Sequence, residues 1–192
     1  MSLFRRVLGL DAPASADLLV DPNAPLPAAT PAETQSVQVL SARLEGLPPA
    51  RARHLAAFAY LLGRAAHASD GMNEAEREEM RRLTAAGGLD AETGSLIVDM
   101  AGTLADEFGA TEDFLVTREF KAISTMEERE RLLRCCFLVM AADDDIDATE
   151  SWLANRLAEE LDVERPDLNA IRAEFHEQLS GVKALRQAQS GL

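Results

Sequence analysis

The sequence predicts an all-α domain, and two observations support that prediction. Apolar residues recur at the three- and four-residue spacing of helices from about residue 35 onward, and no strand-like alternation interrupts them. The 192 residues are 47% hydrophobic but only 5% aromatic, so Leu, Ala, Val, Ile and Met must fill the core. We therefore expect a compact domain of about eight helices in residues 36–182, a length that fits a single core.

Each predicted helix shows an apolar stripe and residues that begin or end helices. In the first half the stripes are Val37/Leu40/Leu44/Leu47, Leu55/Phe58/Leu62 and Leu96/Ile97/Met100/Leu104/Phe108. Between the last two stripes, "NEAEREEMRRLTAAGG" opens at Asn73 with Glu76 three residues on, which predicts a capping box. It closes at Gly87-Gly88, and Asp90 is the predicted cap of the helix that follows.

The second half of the chain repeats the first. A shift of 74 positions without a gap lays "ASDGMNEAEREEMRRL" (68–83) on "ADDDIDATESWLANRL" (142–157). Glu76 then meets Glu150, and a hydrophobic residue, a cap and a Glu recur in the same order. Two copies are too few for a solenoid. We expect two halves related by a pseudo-two-fold, each covering the apolar face of the other.

The two ends of the chain differ from this domain. Residues 1–35 hold five of the eight prolines amid Ala, Asp and Ser, which predicts a flexible tail with a short apolar segment at its start. That segment, with Phe4, Val7 and Leu8 on one side, is either a short helix or a frayed end. Residues 183–192 are predicted to form a C-terminal tail.

The net charge restricts the classes of partner. Acidic residues outnumber basic ones by 33 to 19, and the net charge of −14 repels phosphate backbones and anionic membrane surfaces. We expect no nucleic-acid partner, whereas basic proteins or cations suit this charge. No segment approaches the ~18 apolar residues of a membrane span. The adjacent Cys135 and Cys136 cannot bridge without strain, so we expect reduced core residues and a cytoplasmic protein.

The acidic stretch "AADDDIDATE" (141–150) has two interpretations. In the first, Asp147 caps the helix that follows, and Glu150 at its third position completes a capping box. In the second, Asp143, Asp145 and Asp147 have the spacing of the first three ligands of a calcium loop, with Glu150 as a further oxygen donor. The calcium-loop pattern then stops, because Ala stands where that loop requires Gly and Glu.

Both interpretations remain open from sequence. The candidate metal ligands are Asp143, Asp145, Asp147 and Glu150, with Asp70 and Glu76 as weaker candidates in the first copy. Carboxylate oxygens suit Ca²⁺ or Mg²⁺. The three histidines stand apart, and no Gly-rich phosphate loop or nucleophile elbow occurs, so no catalytic residue is predicted.

Three stretches resemble the TerB-like tellurite-resistance family: "FAYLLGRAAHASDGMNEAE", "GATEDFLVTREF" and "FLVMAADDDIDATE". The amino-terminal domain of the membrane-anchored co-chaperone DjlA shares the fold of that family. The resemblance implies an all-helical cytoplasmic protein without known catalysis, linked to tellurite and other chemical or phage stress. It also implies action through divalent cations and membrane-associated partner proteins. One departure is Asp144, which stands where the family pattern usually has Gly.

Two classes of function follow. The first is a non-enzymatic stress-response interaction module, tuned by a divalent cation or not, which docks onto a protein partner. The second is a metal-dependent enzyme that uses the carboxylates between Asp143 and Glu150. No nucleophile, general base or histidine cluster accompanies those acids, so the module is our prediction. The bulky residues of "TEDFLVTREF" are predicted to fill the core between the halves or, failing that, to line a partner groove.

Overall fold

The computed structural model describes residues 7, 23, 25, 42–67, 74–86, 89–104, 110–142 and 145–184. Within these ranges the chain is helical, and its extended backbone pairs only in one isolated bridge, between Ile146 and Leu179. Seven helices are described: α1 (Pro49–His67), α2 (Glu74–Ala86), α3 (Ala91–Leu104), α4 (Ala110–Ile123), α5 (Met126–Met140), α6 (Ala148–Glu160) and α7 (Arg165–Glu174). Further helical turns lie at 42–45 and 180–184. The predicted all-α class is confirmed.

The 74-residue shift found in the sequence reproduces the helix boundaries. Moved by 74 positions, Glu74–Ala86 takes the bounds of α6, and the start of α3 falls on the start of α7. A backbone hydrogen bond repeats as well. Leu89 N–H donates to Thr84 O over 3.1 Å, and Val163 N–H donates to Ala158 O over 2.9 Å. Each is the bond that closes a helix end in the Schellman motif, so the halves share their helix ends as well as their helices.

The two longest described helices, α1 and α5, form the centre of the domain. They pack against each other, and α1 also contacts α3 and α4. The second helices of the two halves pack differently, because α2 packs on α5 of the other half, while its counterpart α6 packs mainly on α5 of its own half and makes a smaller contact with α1. Each half therefore contacts the central helix of the other, and the contact made by the first half is the larger one.

The two cysteines are core residues of α5. Under the 74-residue shift Cys135 and Cys136 stand where Leu61 and Leu62 stand in α1, and all four side chains are buried. Both thiols are free. Burial raises the pKa of Cys135 to about 12, and it also raises the pKa of Cys136. The prediction of reduced, buried cysteines is confirmed.

The bulky residues predicted to fill the core belong to α4. Val116 and Phe120 are buried, and the Phe120 ring lies 5.2 Å from the ring of His54 on α1, centroid to centroid. Leu115 is half-buried, and the side chain of Phe114 lies outside the described part. The core-filling prediction is thus confirmed for Val116 and Phe120.

The helix-end predictions of the first half are described only in part. Asp90 begins α3, because its Oδ1 accepts Thr93 N–H over 2.9 Å, as predicted. This hydrogen bond lowers the pKa of Asp90. Asn73 and Gly87-Gly88 lie outside the described residues.

Arg129 joins the ends of two helices to the start of α5. It donates from Nη2 to Lys121 O over 2.7 Å, from Nη1 to Leu161 O over 3.0 Å and from Nε to Ser124 Oγ over 3.2 Å. The last carbonyls of a helix lack intrahelical partners, and a cation there complements the helix dipole. The first half has Leu55 at the equivalent position, so this tie belongs to the second half alone.

The predicted tails lie almost entirely outside the described residues. Of residues 1–35, the structure describes Val7, Asn23 and Pro25. Val7 is helical, 2% exposed and part of the hydrophobic cluster of the core. One apolar side chain from the start of the chain therefore contributes to the packed domain. The flexible tail predicted for the rest of this segment stays a prediction.

Candidate functional site

The acidic stretch forms a helix cap where it meets α6. Asp147 Oδ1 accepts Glu150 N–H over 2.8 Å, and Glu150 Oε2 accepts Asp147 N–H over 3.0 Å. This is a complete capping box, as the first interpretation of the sequence predicts. Glu150 is only 6% exposed. Both carboxylates thus satisfy backbone N–H groups that the start of a helix would otherwise leave open.

Asp145 contacts the segment that follows α7. Its Oδ2 accepts Ser180 Oγ–H over 3.1 Å, and its Oδ1 lies 3.3 Å from Lys183 Nζ. The neighbouring backbone is tied to the same segment: Ile146 N–H donates to Gln178 O over 2.8 Å, and Ser180 N–H donates to Ile146 O over 3.1 Å. The chain therefore supplies its own cation, the Lys183 ammonium, to the acidic loop.

Three of the predicted metal ligands are described, and all three have protein partners: the two capping carboxylates and Asp145. Asp143 and Asp70 lie outside the described residues, as does the side chain of Glu76. In the part of the chain that the structure describes, no group of three or more His, Cys, Asp or Glu side chains has an arrangement that could hold a metal ion. The cation site stays a prediction.

A groove separates α6 from α7 in the second half of the domain. Its volume is about 470 Å³, within the range of small-ligand clefts. The base of this α6–α7 groove is apolar and consists of Ala158, Val163 and Leu168, all buried. Its sides are polar and carry Asn155, Glu159, Arg165, Asn169 and Arg172.

Two guanidinium groups of the groove pair with no carboxylate of the described residues. Arg172 donates to two neutral amides, from Nη2 to Asn155 Oδ1 over 2.7 Å and from Nη1 to Asn169 Oδ1 over 3.1 Å. Its guanidinium carbon lies 5.9 Å from the centroid of the Phe137 ring. Arg165 is exposed at the first position of α7. Burial lowers the pKa of Arg172, and electrostatic repulsion from the neighbouring Arg165 lowers it further.

Trp152 lies on α6 about one turn before Asn155, which lines the groove, although Trp152 is not itself a lining residue. It is 59% exposed, and the guanidinium carbon of Arg156 lies 5.6 Å from the centroid of its ring. Residues three and seven apart share one face of a helix, so Trp152 lies on the face that Asn155 and Glu159 present to the groove. Trp152 is thus an exposed aromatic residue on the helix face that borders the groove.

The corresponding helices of the first half, α2 and α3, pack closely. Under the 74-residue shift Thr84 and Gly94 stand where Ala158 and Leu168 line the groove. A Cβ on Gly94 would lie 2.8 Å from Thr84 Oγ1, which is closer than side chains tolerate. Gly94 therefore allows the two helices to approach, and Leu168 at the same position of α7 brings a large side chain instead.

His54 and Glu128 face each other where α1 meets α5. His54 Nε2 lies 3.7 Å from Glu128 Oε1, while Glu128 Oε2 accepts Thr125 N–H over 2.8 Å at the start of α5. Burial lowers the pKa of His54, against the opposing influence of the Glu128 carboxylate. A cleft of about 130 Å³ lies beside the pair, with Arg51 and Arg131 in its lining.

The helical repeat and the capped acidic loop agree with a match to a known family. The sequence model of the family described as "Tellurite resistance protein TerB" matches residues 54–173, more than half of the chain. The chain belongs to the TerB family. No curated protein and no solved structure gives a significant match to it. The matched part of this TerB chain runs from α1 into α7 and includes the acidic loop, Trp152 and all the residues that line the α6–α7 groove.

The resemblance inferred from the three quoted stretches is confirmed by this match. None of the TerB chain's described helices combines the length and the apolarity that a bilayer span requires. The α6–α7 groove was missed by sequence reasoning. A signal for it existed in the repeat, since the shift sets Gly94 of one half against Leu168 of the other at a helix–helix contact.

Proposed function

We propose that this TerB-family protein is a non-enzymatic interaction module of a tellurite-type stress response, which docks a partner protein on the second half of its helical domain. The observation that supports this most is the exposed Trp152, which lies on α6 about one turn before the groove-lining Asn155. Tryptophan is among the residues that contribute most to protein–protein binding, and a large exposed aromatic on a helix that borders a groove suits such an anchor. The family match provides the stress context.

The state of the cysteines supports a role without direct thiol chemistry on tellurium oxyanions. The thiolate is the nucleophilic and metal-binding form of cysteine. Burial keeps Cys135 and Cys136 protonated at neutral pH, because it raises the pKa of both thiols. A protein whose thiols are unreactive would serve such a response through contacts with other proteins.

The alternative function, a metal-dependent enzyme, would use carboxylates that already have partners within the chain. Asp147 and Glu150 each accept a backbone N–H, and Asp145 pairs with the Lys183 ammonium, which a metal ion would have to displace. These contacts account for the described carboxylates of the loop without a metal, which favours the interaction module.

The proposal also includes a response of the module to divalent cations. In this response a divalent cation competes with the Lys183 ammonium for the carboxylate of Asp145. Millimolar Ca²⁺ or Mg²⁺ should then change the emission of Trp152 and raise the melting temperature, because a ligand of the folded state stabilises it. Lys183→Gln should strengthen the response, and Asp143→Asn with Asp145→Asn should abolish it. Asp70→Asn is the control. A flat titration of the wild-type protein at physiological salt excludes the tuning.

Docking is tested by affinity capture with the intact protein from tellurite-stressed cells. We expect specific proteins to be enriched, and Trp152→Ala to reduce their recovery at least tenfold. Met126→Ala is the matched control, since Met126 is the other large exposed hydrophobic residue of the described part, at 42% exposure. Equal losses for both variants, or no enrichment over an empty resin, would contradict the proposal.

A further inference from the structure

We propose that the α6–α7 groove binds an acidic peptide segment of a partner protein, whose carboxylates pair with Arg165 and Arg172. This inference rests on the proposed function, because it gives the docking surface its chemistry. It names a class of ligand that neither the family match nor the acidic loop suggests.

Charge complementarity favours an acidic occupant. With 33 acidic against 19 basic residues, a typical arginine of this chain should find a carboxylate within the chain itself. Many do: ion pairs to Asp or Glu are made by Arg43, Arg64, Arg81, Arg131, Arg134 and Arg156. In the groove, by contrast, Arg172 bonds only neutral amides among the described residues, and Arg165 forms no ion pair with a described carboxylate. Two neighbouring cations are thereby left for a carboxylate from outside.

The guanidinium of Arg172 is held in place before any ligand arrives. Asn155 on α6 and Asn169 on α7 each accept one of its N–H groups, and the Phe137 ring lies beneath it. A guanidinium has five N–H donors, so these two bonds leave donors for a carboxylate. Because the side chain is already ordered, binding costs less conformational entropy than it would for a free surface arginine. Charge-assisted bonds of this kind are among the stronger hydrogen bonds in proteins.

The rest of the surface fits a peptide better than a small anion. Trp152 lies one turn along α6 from Asn155 and offers a large apolar contact. The cationic side walls of the groove and the exposed aromatic residue on the same face of α6 together suit a segment that carries both acidic and apolar side chains. The base adds buried apolar side chains, among them Val163.

A nucleic acid or an anionic membrane would also present anions to these arginines. The net charge of −14 repels such extended polyanions. A short peptide avoids most of that repulsion, since charges farther than about 8 Å are largely screened at physiological ionic strength. Glu159, at the side of the groove, further disfavours a ligand of uniform negative charge.

The test is selection of a phage-displayed random dodecapeptide library on the intact protein. We expect enriched peptides that contain Asp or Glu together with an apolar residue. A synthetic, labelled representative should bind in fluorescence anisotropy and change the emission of Trp152. Arg165→Glu should weaken this binding at least tenfold. The fold should survive the change, because Glu in the first turn of a helix is favourable to its dipole.

Arg118→Glu is the matched control, since it makes the same charge change at an exposed position of α4 outside the groove. It should leave the affinity within twofold. Enriched peptides without acids, an Arg165→Glu variant that still binds, or equal losses for both variants would overturn the inference, as would a failure to enrich any peptide. Tighter, Arg165-dependent binding of a single-stranded DNA dodecamer would assign the groove to polyanions and also overturn it.

This experiment is separable from the test of the proposed function. If affinity capture from stressed cells recovers the same proteins with Arg165→Glu as with the wild type, the interaction module stands and the acidic-peptide groove fails. If capture recovers no specific protein, the proposed function fails whatever the peptides show.

Discussion

The two halves of this TerB domain share the bounds of their second helices and the start of their third helices, but the spaces between these helices differ. In the first half α2 and α3 meet at Thr84 and Gly94. In the second half α6 and α7 enclose a groove of about 470 Å³ over Ala158 and Leu168. The repeat therefore sets where these helices begin, whereas the side chains at their contact differ between a closed interface and a groove.

The halves also differ in how their helix ends are held. Asp90 caps α3 through its side chain, whereas Glu164 at the same position before α7 makes no capping bond. The second half instead has the Arg129 tie between the ends of α4 and α6, where the first half has Leu55. In the first half, close packing holds α2 and α3 together. In the second half, hydrogen bonds from polar side chains hold the helices that border the groove.

The largest loss of stability is expected where the close contact between α2 and α3 is broken. Gly94→Leu gives the first half the residue of the second, and we expect it to lower the free energy of unfolding by about 1–3 kcal/mol, because the new side chain overpacks the contact with Thr84. Adding Thr84→Ala, the other residue of the open half, should restore part of the loss. Urea denaturation of the two variants measures both effects. Unchanged stability for Gly94→Leu would mean that α2 and α3 are not in close contact.

The second-largest loss of stability is expected at the capping box at the start of α6. Asp147→Ala removes the acceptor for Glu150 N–H, and we expect a loss of about 0.5–2 kcal/mol of unfolding free energy. Asp147→Asn is the control, because Asn also caps helices well. Equal losses for Ala and Asn would show that the charge of Asp147 stabilises the helix start through the helix dipole and that the capping bond does not. The measurement is chemical denaturation without divalent ions.

A smaller effect is expected from pH at the contact between the halves. The pKa of His54 is lowered in the folded state, so the folded protein binds fewer protons than the unfolded chain near pH 6.5. The contribution of His54 to the free energy of unfolding is therefore at its maximum above about pH 6.5 and is lost as the pH falls through the pKa of His54 in the folded state. The groups around His54 are Glu128, Arg131, Arg51 and Asp90.

His54→Gln should flatten the fall in unfolding free energy between pH 7.5 and 5.5, measured by urea denaturation. Glu128 contributes in a separate, lower window, because its own pKa is lowered and its contribution is lost only as the pH falls below about 4.5. A wild-type curve as flat as that of the variant above pH 5.5 would contradict the assignment to His54.

The smallest effect is expected at the cysteines, which correspond to leucines of the first half. Iodoacetamide at pH 7.5 should leave Cys135 and Cys136 unmodified in the native protein and should alkylate both in urea, since burial raises the pKa of both thiols. Intact-mass spectrometry follows the reaction. Modification of the native protein within minutes would show that this part of α5 opens.

The fold and the cap could be predicted from sequence because helical spacing and the Asp147/Glu150 pair are local patterns, and the 74-residue shift is a self-match of the chain. The groove was not predicted, because the exchange of Gly94 for Leu168 marks a difference between the halves but does not give the distance between α6 and α7. The contact of Ser180 with Asp145 joins residues 35 positions apart, and no local pattern indicates it. Thus the acidic loop looked free for a cation in the sequence, and the structure gives Asp145 partners from the C-terminal segment.

The contact between His54 and Glu128 has a consequence for how the halves recognise each other. Both residues occupy the same position of the repeat, 74 residues apart, and a position near a two-fold relation meets its own equivalent. Two halves that both carried Glu here would place two carboxylates against each other, and these would repel. A histidine of lowered pKa opposite a single Glu avoids that repulsion. The unlike residues of the repeat therefore favour the pairing of a first half with a second half over the pairing of two second halves when newly made chains meet.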